Sequence, residues 1–487
     1  MANYRHGVYN LEQDTSLAAP VRSTAGLQVI FGTAPIHMVK DPSAAVNQPL
    51  LVNSMAEAAA ALGYSDDFKA FTLCQSMYAN FNVFNNCPIV FVNVLDPQNP
   101  DHVKQNEEAE VPVANKQVVY AAKNVLLASL VVKAGEKELV AEADFIAQHR
   151  NDGTVLITMV SEIALSAEKV TISSKSINPA GVKETDVVGG VDVETGKETG
   201  MELVRHVYPL FGLTPGLLLA PGWSHDPVVA AALQAKVSAI NGNFECSCIL
   251  DIPTSGEDGA RTYTAVKPAK EALGAATSHG IALWPLVEVG DKQLFFSAIA
   301  AAQTVNVDAG NGDVPHESPS NKGLRITGLC LEDGTKVVLD QEQANYLNGL
   351  GVVTAINVNG WRLWGNNTCA YPSTTDPKDR WWAVRRFFDW DGNNFVLTYF
   401  QKVDKPGNKR LIQYIVDSQN IIGGGYVNKQ YCAGYKVKFL AEENPATDLL
   451  NGILRVHTYL APFIPAEVIE NTREYDVEAL ELALGGE

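Results

Sequence analysis

The stretch PGLLLAPGWSHDPVVAAALQAKVSAINGNFECSCILDIP, residues 215–253, decides the fold. Two short apolar runs, 215–222 and 246–253, bracket a segment (226–242) that opens on Asp226-Pro227 and closes on Gly242. Asp as N-cap, Pro in the first turn and Gly past the last turn punctuate a helix. Val229, Leu233, Val237 and Ile240 fall on one face of it. A second helical pattern (266–280) and a third apolar run, IALWPLVEV (281–289), follow. Apolar strands separated by helices of roughly 12–16 residues predict right-handed βαβ crossovers and a parallel sheet.

On the N-terminal side, LQVIFGTA (27–34) and PIVFVNVLD (88–96) predict two more strands, and MAEAAAALG (55–63) a helix ended by Gly63. Residues 68–84 predict a helix with Phe71, Cys74, Met77, Tyr78 and Phe81 on one face. Residues 101–190 change to short Val/Ile/Thr-rich runs broken by Gly and Asn, a β-rich insertion, with 189–200 as its return linker. Further on come a capped helix (340–351), a strand (352–358), and a helix (379–390) with Trp382, Arg385 and Arg386 along one side. Two alternating strands (434–441 and 452–462) and an exposed strand within 465–480 close the chain. The first 22 residues, with Val8, Tyr9 and Leu11 in a polar context, are too poor in apolar residues for more than an arm. The reading is therefore multidomain, α/β and α+β: an N-terminal arm (1–22), a central α/β domain (23–100 and 200–339), a β-rich insertion (101–199), a C-terminal α+β domain (340–464) and a C-terminal arm (465–487).

The 487 residues are 46% hydrophobic and 19% charged, an ordinary globular balance. No apolar run reaches the roughly 18–20 residues of a membrane span, and the opening MANYRHGVYNLEQD has no signal-peptide core. Neither a membrane nor a secretory route is expected. Seven scattered cysteines fit a reducing cytoplasm better than a disulfide framework. With 37 Lys/Arg against 55 Asp/Glu the net charge is −18, unsuited to phosphate backbones, so no nucleic-acid partner is expected. The charge is uneven. Residues 361–440 hold twelve Lys/Arg against six Asp, a net of +6; residues 441–487 hold two Arg against ten Asp/Glu, a net of −8. Ordinary solvated charge is one reading; copies meeting head to tail, or an acidic partner for the basic block, explain the opposition better.

A search for chemistry finds little. There is no GxxxxGK[ST] and no GxGxxG between strand and helix. Gly423-Gly424-Gly425 is placed after a helix, as cap or turn. Cys246 and Cys248 lie in an apolar strand without partner ligands and read as structural. Ser224-His225-Asp226 cannot stack nucleophile, base and orienter in line, and Asp226 is needed as the N-cap. Asp389-Trp390-Asp391-Gly392-Asn393-Asn394 lacks the Gly and Glu of a calcium loop and reads as a hairpin turn. Five of the seven Trp cluster between Trp361 and Trp390, in core packing or as a sugar platform. No enzyme, cofactor or metal site is expected. The rival readings are an α/β hydrolase using the loops of 215–260 and a carbohydrate-binding protein using the Trp cluster.

Nearly the whole chain resembles the contractile tail sheath proteins of phages, prophages, phage-tail-like bacteriocins and related injection systems. His6-Gly7-Val8-Tyr9-Asn10-Leu11, followed by STAGLQVIFGTAP (23–35), is similar to the family's arm strand and first core strand. NQPLLVNSMAEAAAALG (47–63) and MYANFNVFNNCPIVFVNVLD (77–96) resemble its next two segments. LNGLGVVTAINVNGWRLWGNNT (347–368), WWAVRRFFDW (381–390), GYKVKFLAEENP (434–445) and NGILRVHTYLAPFIPAEVI (451–469) resemble its C-terminal elements, in order. The departures are Asn366-Asn367, where relatives often carry Ala-Arg, and an acidic extension beyond Tyr475.

The resemblance implies a subunit of stacked, hexameric rings that surround a tail tube in an extended, high-energy state. Triggered through the baseplate, the rings collapse and drive the tube through a cell envelope, without nucleotide or cofactor. It implies a central domain of subtilisin-like fold without the activity, and an insertion that lies outermost. The implied partners are other copies of the chain, the tail tube protein, and baseplate and tail terminator proteins, in a virion or phage-tail-like particle assembled in the bacterial cytoplasm. Two arms would exchange strands with neighbours: Gly7, Val8, Tyr9 and Leu11 at one end, Val468, Ile469, Tyr475 and Val477 at the other. Arg385 and Arg386 would face acidic residues of the tube.

Overall fold

Eight strands build one sheet in the computed structural model, which describes residues 21–22, 24–150 and 152–485. They are β1 (Gln28–Gly32), β2 (Pro49–Val52), β3 (Ile89–Asn93), β4 (Leu217–Leu219), β5 (Ser247–Asp251), β6 (Gly280–Leu283), β7 (Val352–Asn357) and β8 (Trp361–Trp364). Their order is β8-β7-β6-β5-β4-β1-β3-β2. The inner six run parallel and each edge strand is antiparallel. β1, β3, β4, β5 and β6 are buried at every position. Burial on both faces explains why they read as continuous apolar runs rather than as alternation.

The helices around the sheet are α1 (Met55–Leu62), α2 (Pro227–Ala235), α3 (Val266–Leu273), α4 (Phe296–Gly310), α5 (Gln341–Gly349) and α6 (Trp382–Tyr399). Three start where side chains cap them. Ser54 Oγ accepts from Glu57 N, Asp226 Oδ1 from Val228 N and Val229 N, and Asp340 Oδ1 from Gln343 N. Helix α2 stops at Ala235, short of the expected Gly242, and α3 stops at Gly274, whose φ of 70° terminates it. The expected strand 281–289 is split. Its second half, Leu286–Val289, joins a separate antiparallel sheet with Lys292–Leu294, Gly328–Cys330 and Lys336–Val337. The expected helix 68–84 begins only at Leu73, whose amide is taken by Thr33 O, and passes into a π-helix, Tyr78–Phe84. The run Asp389–Asn394, read as a hairpin turn, lies inside α6, with Asp389, Asp391 and Asn393 buried. Their polar contacts to neighbouring elements override the local turn signal.

The segment 103–177 forms smaller sheets. Val131–Ala134, Lys137–Leu139, Lys169–Ser173 and Ala109–Pro112 make one; Gln117–Tyr120, Phe145–His149 and Val155–Met159 make another. Their inward residues, among them Val118, Tyr120, Phe145, Ile157 and Ile172, form a core separate from that of the main sheet. His149 reaches back to the main body: its Nε2 lies 3.1 Å from His37 O, and the two rings meet edge-on at 5.1 Å. Burial, with His149 adding to it, lowers the His37 pKa to about 3.

The chain parts into two compact units between Lys405 and Pro406. In the second unit α7 (Lys409–Asn428) packs on β9 (Cys432–Lys438), which pairs antiparallel with β10 (His457–Pro462). Gly423-Gly424-Gly425 is inside α7, not after a helix. The reason is steric at Gly423, where a Cβ would come within 1.9 Å of Tyr435 Cδ1. Gln419 Nε2 donates to Tyr435 Oη at 2.6 Å, and Asn420 bonds the Val437 backbone in both directions.

Candidate assembly surface

The second unit leaves most of its apolar surface uncovered. Cys432 and Val437 are its only hydrophobic side chains that are fully buried among the described residues. It also carries fifteen of the thirty-two exposed large apolar side chains among those residues, from Tyr414 to Leu484. A segment so rich in exposed apolar residues marks an interaction surface. Strand β10 has one hydrogen-bonded neighbour, β9, among the described strands, so its other edge offers unpaired backbone groups.

Beyond β10 the chain has no regular secondary structure from Phe463 to Asp476, and Phe463, Ile464, Val468, Ile469 and Tyr475 are exposed there. Ile469 is 89% exposed. The expected strand within 465–480 is not formed among the described residues, because a strand needs a ladder partner and no described strand pairs with this stretch. Val477 instead opens a helix, Val477–Ala483, capped by Asp476 Oδ1 accepting from Ala479 N. Its Ala, Leu and Glu residues favour that conformation. Of the residues expected to exchange strands, Val468, Ile469, Tyr475 and Val477 lie on the surface. Gly7, Val8, Tyr9 and Leu11 lie outside the described residues.

Arg385 and Arg386 do not face outward, contrary to the expectation from sequence. Arg385 is 8% exposed and Arg386 3%. Arg385 donates from Nε to Asp389 Oδ1 at 2.9 Å, and its NH1 and NH2 groups lie near Asp379 and Glu245. Arg386 forms a two-pronged pair with the fully buried Asp308 of α4. Both guanidiniums are consumed inside the first unit, which overturns their assignment as tube contacts. The Arg385–Asp389 spacing of four was a legible signal of a same-helix pair. Asp308, 78 residues upstream, was not.

Around Arg385 the structure gathers groups that sequence reading left apart. Glu245 precedes β5 and is clamped by α6: its amide donates to Asn393 Oδ1 at 2.9 Å, and Asn393 Nδ2 donates to its carbonyl at 2.7 Å. His279, just before β6, brings Nε2 within 3.3 Å of Asp389 Oδ1 and 3.9 Å of Glu245 Oε2. A cavity of about 240 Å³ opens beside Glu245 and Asp389.

Ser224, at the other end of the sheet, is buried and engaged with Asp251: Oγ donates to Asp251 Oδ2 at 2.9 Å and accepts from Asp251 N at 3.1 Å. Ser297 Oγ and N donate to the same carboxylate. Burial raises the Asp251 pKa, against the pull of these hydrogen bonds. The His225 ring stacks on Phe295 at 5.2 Å, so it is no base for Ser224. Cys246 and Cys248 are buried thiols whose pKa burial pushes up, in line with the structural reading. Trp381 and Trp382 are buried and Trp361, Trp364 and Trp390 are half-buried, so none of these five indoles is an exposed platform for a sugar. Among the described residues no helix is long and apolar enough to cross a membrane.

No protein-family model matches the chain. In sequence it is 28% identical, over 503 aligned residues, to a tail sheath protein of Burkholderia phage BcepMu, covering 100% of this chain and 99% of that one. It is 24% identical to the tail sheath protein of Escherichia phage P2, over 70% of this chain and 81% of that one. In structure it matches the PVC sheath complex of an extracellular contractile injection system in the contracted state, with a TM-score of 0.56 and 15% identity, covering 98% of this chain and 99% of that one. At that identity the match speaks for a shared fold.

Proposed function

We propose, from its homology to tail sheath proteins along the whole chain, that this protein is a structural subunit of a contractile tail sheath. The full-length alignment with a phage tail sheath protein carries this reading. The subunit would polymerise as stacked, hexameric rings around a tail tube, in contact with baseplate and terminator proteins, and would contract to drive the tube through an envelope. Its work is mechanical and not enzymatic. The energy of contraction would come from two discrete packings of the subunits rather than from a nucleotide.

The second unit supports the exchange of strands between copies. Strand β10 has an edge with no partner among the described strands, and the exposed 463–476 segment carries the apolar residues Phe463, Ile464, Val468, Ile469 and Tyr475, which a neighbour's sheet edge would order by β-augmentation. The arm at 1–22 would do the same elsewhere. With Arg385 and Arg386 committed inside, contact with an acidic tube falls to the exposed Lys409, Arg410, Lys429, Lys436 and Lys438. The central parallel sheet would be the subtilisin-like domain that the family resemblance implies, and the insertion, with its own core, suits the outer face of the ring. Such a particle is a phage tail or a phage-tail-like device put together in the bacterial cytoplasm.

The test is negative-stain electron microscopy of the purified chain, alone and with candidate tube protein, beside versions lacking residues 1–22 or 463–487. Ribbed hollow tubes from the full chain, and none from either truncation, are expected. Dispersed particles from the full chain in the presence of tube protein, or normal tubes from both truncations, would overturn the reading.

A further inference from the structure

We propose that Glu245, His279 and Asp389 hold one divalent transition-metal cation of the zinc class. Their ligand atoms lie within 4.8 Å of one another, drawn from the segment before β5, the segment before β6, and α6. One imidazole nitrogen and two carboxylate oxygens are ligands that zinc-class ions accept, with water in a remaining position. The cavity beside Glu245 and Asp389 has room for that water.

Two buried atoms point to an occupant. Asp389 is 4% exposed, yet its Oδ2 has no hydrogen-bond partner, and the buried Nε2 of His279 makes no well-aligned hydrogen bond, only the 3.3 Å ion-pair contact with Asp389 Oδ1. An orphaned carboxylate oxygen is expensive to bury, and a cation shared with the imidazole would satisfy both. Arg385 binds the other oxygen, Oδ1, with Nε and NH2 at 2.9 and 2.8 Å. That is how an outer partner orients a metal-binding carboxylate and leaves its second oxygen for the ion. The local charge agrees. Glu245, Asp389 and Asp379 bring three negative charges against two from Arg385 and Lys378, a deficit of one with neutral imidazole, while Arg386 is matched by Asp308. The ion would tie α6 to the end of the parallel sheet where the inner strands β5 and β6 begin. A proton on His279 Nε2 is the competing occupant.

The full chain, dialysed against chelator and then into metal-free buffer, is titrated with Zn²⁺ by calorimetry, with Mg²⁺ as control. The wild type, Glu245→Gln and His279→Gln are compared, and circular dichroism confirms their folding. Saturable uptake of one Zn²⁺ per chain is expected, weakened about tenfold or more in each variant, with no competition from Mg²⁺. Glu245 is 46% exposed, so its substitution keeps the test alive if His279→Gln fails to fold. The absence of saturable uptake would mean that His279 holds only a proton. Equal uptake in the wild type and a folded variant would place the ion elsewhere, on a thiol for instance. Either result overturns the proposal.

Discussion

Replacing Arg386 with Met should destabilise the first unit by about 3–5 kcal/mol, the cost of leaving one member of a buried pair without its counter-charge. Arg386 NH1 and Asp308 Oδ1 are 3.1 Å apart. At an effective dielectric of about 20 a single charge pair at that distance is worth about 5 kcal/mol, before desolvation. Met fills much of the stem's volume, so the loss is mainly electrostatic. Asp308 would then sit fully buried beside Asp313, with burial raising its pKa and no guanidinium opposing it. A carboxyl whose pKa is raised in the folded state binds more protons there than when unfolded. Stability of the variant therefore falls as pH rises from the ordinary carboxylate range, and the penalty shrinks towards pH 4. The double variant Arg386→Met/Asp308→Asn should recover 2 kcal/mol or more of the loss (about half of it). Urea unfolding followed by tryptophan fluorescence, at pH 7.5 and pH 4.5, measures all three chains. A loss below about 1 kcal/mol for the single variant, or no recovery in the double, would refute the view of Arg386 as an internal counter-ion.

His37 should make the joint between the insertion and the main sheet acid-labile. Its pKa of about 3 in the fold, against the ordinary 6.5, means that the unfolded joint takes up a proton between those values while the folded one does not. The stability it contributes is whole above pH 6.5 and is lost as pH falls towards 3, up to about 5 kcal/mol in all. Hydrogen exchange in Phe145–His149 should quicken over that window, and His37→Phe should flatten the dependence; an unchanged slope in the variant rejects the assignment. In α7, Gly424→Ala and Gly425→Ala, where a Cβ meets nothing within 4 Å, should each stabilise the helix by about 0.5–1 kcal/mol. Gly423→Ala should cost about 1–3 kcal/mol by forcing Tyr435 aside. Thermal unfolding by circular dichroism separates them, and three equal shifts would count against the packing described.

The parallel sheet was legible because a strand buried on both faces writes an apolar run, and because Asp226 and Asp340 announce their helices. The second unit was harder. Helix α7 carries three glycines that imitate a terminator, and only the ring of Tyr435, brought over by β9, shows why Gly423 is there. Helix α4 is buried at twelve of its fifteen positions, so it lacks the polar stripe that would have marked it as a helix. The candidate site divided in the same way. The exposed apolar residues of 463–477 were readable from composition. The fates of Arg385 and Arg386 depended on Asp308 and Glu245, which are close only in three dimensions.

The exposed segment beyond β10 also bears on how the isolated chain stays in solution. Ile464, Val468 and Ile469, following a strand edge that has no partner among the described strands, are the ingredients of uncontrolled cross-β aggregation. Glu467, Glu470 and Glu474 are interspersed among them. Side by side, the same segments of two chains would bring like charges into register, so the carboxylates act as gatekeepers against mispairing. A segment that repels its own twin yet has a vacant edge to fill makes random clumping slow and leaves ordered growth as the easier route.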